Sequence, residues 1–178
     1  QDSKDDSLCK YSGQSCSYDS ECSSLKETPV CGAAFTRGEC MSSKNCGRKC
    51  LSFSSKIATP IGDVNVTDLK VGDIVWTVDV DGNRIVRTLL KVSHVSAPNH
   101  RVVHLVLADG RALDVSALHP TANGMMVGDL KVGDMYDGSR VKSAALKPYE
   151  GTATYDILPA GDTGFYFANG MLMGSTLK

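Results

Sequence analysis

The sequence predicts an all-β domain over residues 50–178, preceded by a small disulfide-rich module over residues 1–49. Three observations predict this. All seven cysteines fall within the first 50 residues. Beyond Cys50, short runs rich in β-branched residues alternate with Asp-Gly and Asn-Gly turn signals. The hexapeptide Asp68–Asp73, DLKVGD, recurs unchanged as Asp129–Asp134.

The 178 residues suit one domain, or one domain and a small module. Lys+Arg is 19 and Asp+Glu is 20, a formal net charge of −1, so no basic field is available to hold nucleic acid. Aromatics at 6% argue against a base-stacking surface. No apolar run approaches the ~18 residues that read as a membrane helix. A hydrophobic content of 42% is enough for a real core.

Residues 1–49 are polar and rich in Ser and Cys, with seven acidic and seven basic side chains. So little apolar surface cannot stabilise a fold without cross-links. Clustered cysteines imply an oxidising compartment, and a chain that starts at Gln1 fits removal of a signal peptide. The expectation is a secreted protein. Successive cysteines are separated by 6, 5, 8, 8, 5 and 3 residues. With no C-x2-C pair, zinc is a poor reading, and no other metal or cofactor is expected. Three disulfides among Cys9, Cys16, Cys22, Cys31, Cys40 and Cys46 are expected, in any of about 15 pairings. The stretch Gly13–Cys22 is similar to small extracellular cysteine-rich modules, whose ligand would be a protein or a surface. The odd count leaves one cysteine over. On count alone Cys50 reads as paired with Cys46 or another neighbour, and only its motif context makes it the free one.

The β-rich runs are Ile74–Val78, Ile85–Val95, Arg101–Ala108, Arg140–Leu146, Thr152–Leu158 and Phe165–Ala168. Turn signals separate them at Pro60–Gly62, Asp81–Asn83, Asp109-Gly110, Asn123-Gly124, Asp137-Gly138 and Asn169-Gly170. Asp-Gly and Asn-Gly suit hairpins because both residues tolerate positive φ. No long 3.6-residue apolar period appears; one or two helical turns are expected after Thr67 or Val115. The hexapeptides stand 61 residues apart (129 − 68), which suggests two related β units packed about a pseudo-two-fold axis. Asp68, Asp73, Asp129 and Asp134 read as turn residues. His94, His100 and His104 show no tight ligand spacing and read as surface or strand positions. Asn65-Val-Thr67 is a glycosylation sequon, of consequence only where the source glycosylates.

Cys50–Gly62, CLSFSSKIATPIG, running into Asp68–Asp73, resembles the opening of a Hint domain, the autoprocessing module shared by inteins, bacterial intein-like domains and hedgehog proteins. Asp109–Pro120, DGRALDVSALHP, resembles the family's T-x-x-H segment, with Ser116 in the Thr place and His119 as the His. Tyr155–Ile157 and Tyr166–Gly170 resemble its last two β segments. The resemblance covers residues 50–178 and implies a flat, horseshoe-like all-β fold with pseudo-two-fold symmetry.

It also implies a chemistry. A cysteine thiolate is a strong nucleophile. Held against the preceding carbonyl of Lys49, Cys50 would attack intramolecularly, where effective molarities reach ~10⁵–10⁸ M. The product is a thioester joining Lys49 to the Cys50 side chain. The resemblance gives His119 the role of general acid to the departing Cys50 amide nitrogen. Ser116 would hydrogen-bond and help distort the scissile peptide, and Asp156 would tune the Cys50 proton or activate water. Taken singly these residues have plainer readings: His119 as a core or turn histidine, Ser116 as a turn hydroxyl, Asp156 as a solvated strand-edge carboxylate.

The departures from the family shape the expected outcome. A splicing intein ends in His-Asn followed by Cys, Ser or Thr; here Gly174 and Ser175 stand in the His and Asn places. A serine cannot cyclise as asparagine does, so splicing and C-terminal cleavage are expected to be absent, and Thr176, in the downstream nucleophile place, cannot complete a splice. Gly164 falls where inteins often place another His. The hedgehog route needs a sterol-recognition region, for which no room is expected before Lys178. The expectation is a cysteine-dependent, single-turnover self-cleavage at Lys49–Cys50, with water or an external nucleophile opening the thioester. The alternative is a silent or redox-gated Hint-like scaffold that presents a cysteine-rich binding module outside the cell.

Overall fold

A computed structural model describes residues 14–15, 39–40 and 50–177. The predicted disulfide cysteines and Lys49 lie outside the described residues, except that Cys40 falls in a two-residue strand of which the backbone alone is described. Thirteen strands are described, in chain order: β1 Gln14–Ser15, β2 Glu39–Cys40, β3 Lys56–Thr59, β4 Gly62–Asn65, β5 Ile74–Val78, β6 Arg84–Ser96, β7 Arg101–Leu107, β8 Ala112–Val115, β9 Met135–Tyr136, β10 Ser139–Pro148, β11 Ala153–Pro159, β12 Phe165–Ala168 and β13 Met171–Gly174. Strands β1 and β2 pair with each other. The others form three antiparallel sheets, ordered β8-β7-β10-β9, β11-β6-β5 and β13-β12-β3-β4. The all-β expectation therefore holds. Among the described residues no helix is long and apolar enough to cross a membrane.

The hexapeptide repeat is a structural repeat. The Lys70 and Lys131 amides each donate to the carboxylate of the Asp three residues on, both at 2.8 Å. The Gly72 and Gly133 amides donate across to Leu89 and Val141, whose own amides return to Asp73 and Asp134. Gly72 and Gly133 have φ of 99° and 95°, a conformation side chains resist, and this is why a glycine stands at the same place in both copies. Each loop follows a single 3-10 turn, Val66–Asp68 or Val127–Asp129. The first overlaps the helical turn expected at Thr67; the second lies well beyond Val115, after which the chain makes only a tight turn. There the Ser116 amide bonds to the Cys50 carbonyl, and the Ala117 and His119 carbonyls accept the Gly128 and Val127 amides, instead of bonding within a helix.

The two units exchange partners. β5 and β6 form one hairpin and β9 and β10 the other. β6 then pairs with β11, which follows β10, while β10 pairs with β7, which follows β6. Each unit thus sends its next strand onto the other, and one continuous core forms at the exchange. Leu51, Ile57, Val75, Leu89, Leu105, Leu107, Val115, Ile157 and Tyr166 are fully buried there.

Among the described strands, the sequence missed β1, β2, β3, β4, β8, β9 and β13. They are short, and β4, Gly-Asp-Val-Asn, has weak strand propensity. They exist because neighbouring strands offer them paired edges.

Candidate active site

Residues 50–52 enter at the seam between the two units. The Leu51 amide donates to Tyr155 on β11 at 2.7 Å, and the Tyr155 amide donates back to the Leu51 carbonyl at 3.0 Å. On the other side the Ser52 amide reaches the Asp114 carbonyl of β8, and the Ser116 amide reaches the Cys50 carbonyl at 3.0 Å. Leu51 is completely buried and bridges both Val115 and Tyr155. This clamp fixes the Cys50 backbone, and Cys50 itself is 8% exposed.

Ser116, His119 and Asp156 are buried around this entry, at 0%, 0% and 1% exposure. Ser116 and His119 lie on the tight turn after β8, where the His119 amide donates to the Ser116 carbonyl at 3.0 Å. Asp156 points inward from β11, whose alternation places it on the buried side. It is not the solvated strand-edge carboxylate of the plainer reading. One carboxylate oxygen accepts the Tyr166 hydroxyl at 2.8 Å and the Ile157 amide at 2.8 Å. The other accepts the Thr176 amide at 2.7 Å and the Thr176 hydroxyl at 2.6 Å.

Two participants escaped sequence reasoning. Tyr166 lies fully buried on β12, with its hydroxyl 3.0 Å from His119 Nε2. Its inward position follows from the Phe-Tyr-Phe-Ala alternation of that strand, but the sequence offered no sign of what it would meet. Burial, and then the charge and hydrogen bond of Asp156, hold the Tyr166 phenol well above its ordinary range, with ionised Cys50 acting in the same direction. The phenol therefore keeps its proton.

The second is His100. It was expected at a surface or strand position, but it is 6% exposed and its Nε2 lies 2.8 Å from the Ser116 hydroxyl. The turn Pro98–Asn99, with Asn99 at φ 53°, delivers it inward just before β7, and no strand periodicity reaches that turn. Its ring meets Tyr149 edge-on. Burial pushes the Tyr149 phenol up, assisted by nearby charges that include Cys50. The other two histidines match their reading: His94 is exposed, and His104 is half-buried on β7, 2.6 Å from Asp114. Asp114 also meets Lys147 at 2.8 Å. Among the described residues no cluster of three or more His, Cys, Asp and Glu side chains is arranged to hold a metal ion.

The fold is that of inteins and intein-like domains. A bacterial intein-like domain from Clostridium thermocellum is similar with a TM-score of 0.63 and 20% identity, over 72% of this chain and 99% of that one. The PabCDC21-1 intein is similar at 0.61 and 12%, over 73% and 100%. A DnaB intein from Synechocystis sp. PCC 6803 is similar at 0.54 and 14%, over 72% and 99%. No family model matches the chain, and no curated protein does. The likeness resides in the fold, with sequence identities of 20%, 12% and 14% in these three comparisons.

Proposed function

We propose that residues 50–178 form a single-turnover processing domain that cuts the chain between Lys49 and Cys50. The observation that carries this reading is the convergence of Cys50, Ser116, His119 and Asp156 on one buried seam. The Cys50 thiolate attacks the Lys49 carbonyl carbon, forming a C–S bond and a tetrahedral oxyanion. His119, protonated, gives its proton to the Cys50 nitrogen as the C–N bond breaks. The result is a Lys49 thioester and a free amine at Cys50, with the Lys49–Cys50 peptide converted and no atom lost. Water or another nucleophile then opens the thioester and releases residues 1–49. The Ser116 amide, by holding the Cys50 carbonyl, fixes the reacting residue on its leaving side. Ser175, which stands where cyclisation needs an asparagine, leaves the reaction without a second cut.

In the same reading, residues 1–49 are a disulfide-bonded module delivered outside the cell, with Cys50 reduced and the module's ligand a protein or a surface. No metal or cofactor takes part.

Incubating the full chain with hydroxylamine near neutral pH tests the reaction, because a thioester opens far more readily than an amide. Two fragments divided at Lys49–Cys50 are expected, with no cut near Gly174–Thr176. An intact mass, in a chain whose Cys50 is shown to be reduced, would replace this reading with that of an inert scaffold. Cleavage seen only after reduction would establish redox gating.

A further inference from the structure

Three buried side chains of the seam, His119, Tyr166 and Asp156, form one unbroken hydrogen-bonded line that ends on Thr176. His119 Nε2 is 3.0 Å from the Tyr166 hydroxyl, which is 2.8 Å from Asp156, whose far oxygen receives both the amide and the hydroxyl of Thr176. Proton positions along it follow from the donors available. The Asp156 oxygen facing Tyr166 also accepts the Ile157 amide, so the carboxylate is an acceptor on both sides. The phenol proton therefore points at Asp156. The phenol oxygen is left to accept, and His119 Nε2 must carry the hydrogen between them. A neutral His119 then has its lone pair on Nδ1, and a charged His119 has its exchangeable proton there.

We propose that Tyr166 is a positioning residue for the amide-cleaving step: it fixes Nδ1 as the nitrogen of His119 that exchanges a proton, and it links the imidazolium to the Asp156 carboxylate. This rests on the self-cleavage reading and adds to it a residue and a proton direction. An imidazolium in a buried site needs a compensating charge. Through Tyr166 it acquires one without direct contact between the ring and the carboxylate. The raised phenol pKa agrees, since a phenolate would reverse the line. The titratable groups that act on the Tyr166 phenol are Asp156 from β11, Cys50 from the entering segment and Tyr136 from β9. Thr176, from the chain after β13, closes the far end by saturating Asp156.

Two measurements on the full chain test this. The first is the pH profile of hydroxylamine cleavage in wild type and Tyr166→Phe. The descending limb, where His119 loses its proton, should move to lower pH by about one unit, with a loss of roughly tenfold above neutrality. Asp156→Asn should move the limb in the same direction, and this keeps the test available if Tyr166→Phe does not fold. A uniform loss at every pH, with the limb unmoved in the variants that fold, would mean that Tyr166 only packs, and the proposal would fail.

The second measurement does not depend on cleavage. In a Cys50→Ala chain with 15N-labelled histidine, neutral His119 should appear as the Nε2–H tautomer, with a protonation midpoint that falls on adding Tyr166→Phe. The opposite tautomer, or a midpoint indifferent to Tyr166, would overturn the proposal. The expected tautomer in a wild-type chain that never cleaves would count against the self-cleavage reading alone.

Discussion

The loops Asp68–Asp73 and Asp129–Asp134 share a sequence, a glycine at nearly the same φ and the same set of four hydrogen bonds. What precedes them differs. Counting back the 61-residue offset, Ser116 and His119 fall on Ser55 and Ala58. Ser55 is buried with its hydroxyl against Ser52, and Ala58 is an ordinary residue of β3. In the second unit the same distance carries a serine bonded to His100 and a histidine bonded to Tyr166. The repeat is thus a scaffold in both units and carries the candidate site in one. The asymmetry has a source in topology: residues 50–52 enter between β8 and β11, where the Ser116 amide of the turn after β8 meets the Cys50 carbonyl.

The largest expected effect would break the site and leave the repeat intact. Cys50→Ala should abolish division at Lys49–Cys50, because no side-chain nucleophile remains. Its thermal midpoint should shift little, since a buried cysteine behaves as a small hydrophobe. Mass spectrometry after hydroxylamine reads the first expectation and calorimetry the second. Residual cleavage at that bond in Cys50→Ala would place the nucleophile elsewhere.

His119→Ala should come next, slowing cleavage by ~10²–10⁴-fold, the scale of one general acid. Its counterpart Ala58→Gly should leave the rate within about twofold while lowering stability by roughly 1 kcal/mol through loss of strand propensity. Rates that fall equally in the two variants would show that any disturbance of either unit stops the reaction, and the division into scaffold and site would collapse.

Asp156→Ala sharpens a different contrast, between stability and rate. The change strands the Tyr166 and Thr176 hydroxyls and two amides that now end on one carboxylate. A buried donor left without its acceptor costs about 1–3 kcal/mol, so a fall in stability of at least about 2 kcal/mol is expected in chemical denaturation. The effect on rate should be smaller than that of His119→Ala, because Asp156 acts through Tyr166.

Much of this was legible in the sequence, for physical reasons. Runs rich in strand-forming residues, bounded by Asp-Gly and Asn-Gly, located the long strands, because strand propensity and turn chemistry are local properties. The hexapeptide disclosed the repeat for the same reason. Cys50, Ser116, His119 and Asp156 were singled out by resemblance, and their placement on one seam is a property of the fold. Tyr166 and His100 were not legible, because each is defined by a partner distant in sequence: Tyr166 by His119, 47 residues away, and His100 by Ser116, 16 away. The edges β4 and β13 were missed because their pairing is tertiary. Sequence patterns report what a residue prefers, and a buried polar contact depends on what the fold brings to it.

The smallest expected effect tests the repeat itself. Gly72 and Gly133 sit at positive φ with no atom within 4 Å of where a side-chain carbon would stand. Replacing either by alanine meets no clash, and only the backbone conformation resists, at a cost of about 1 kcal/mol. If the loops are equivalent scaffold, Gly72→Ala and Gly133→Ala should lower stability by matching amounts. The double variant should give their sum to within about 0.5 kcal/mol, as for separated sites. Neither should change the rate of cleavage at Lys49–Cys50 beyond about twofold. Denaturant titration of the four chains, with Cys50→Ala as the uncleaved background, measures the first two expectations, and hydroxylamine cleavage in the native background measures the third. Unequal costs would show that one loop bears strain the other does not. A rate loss confined to Gly133→Ala would be more telling still, because that loop follows the turn carrying His119, and the second hexapeptide would then belong to the site as well as to the scaffold.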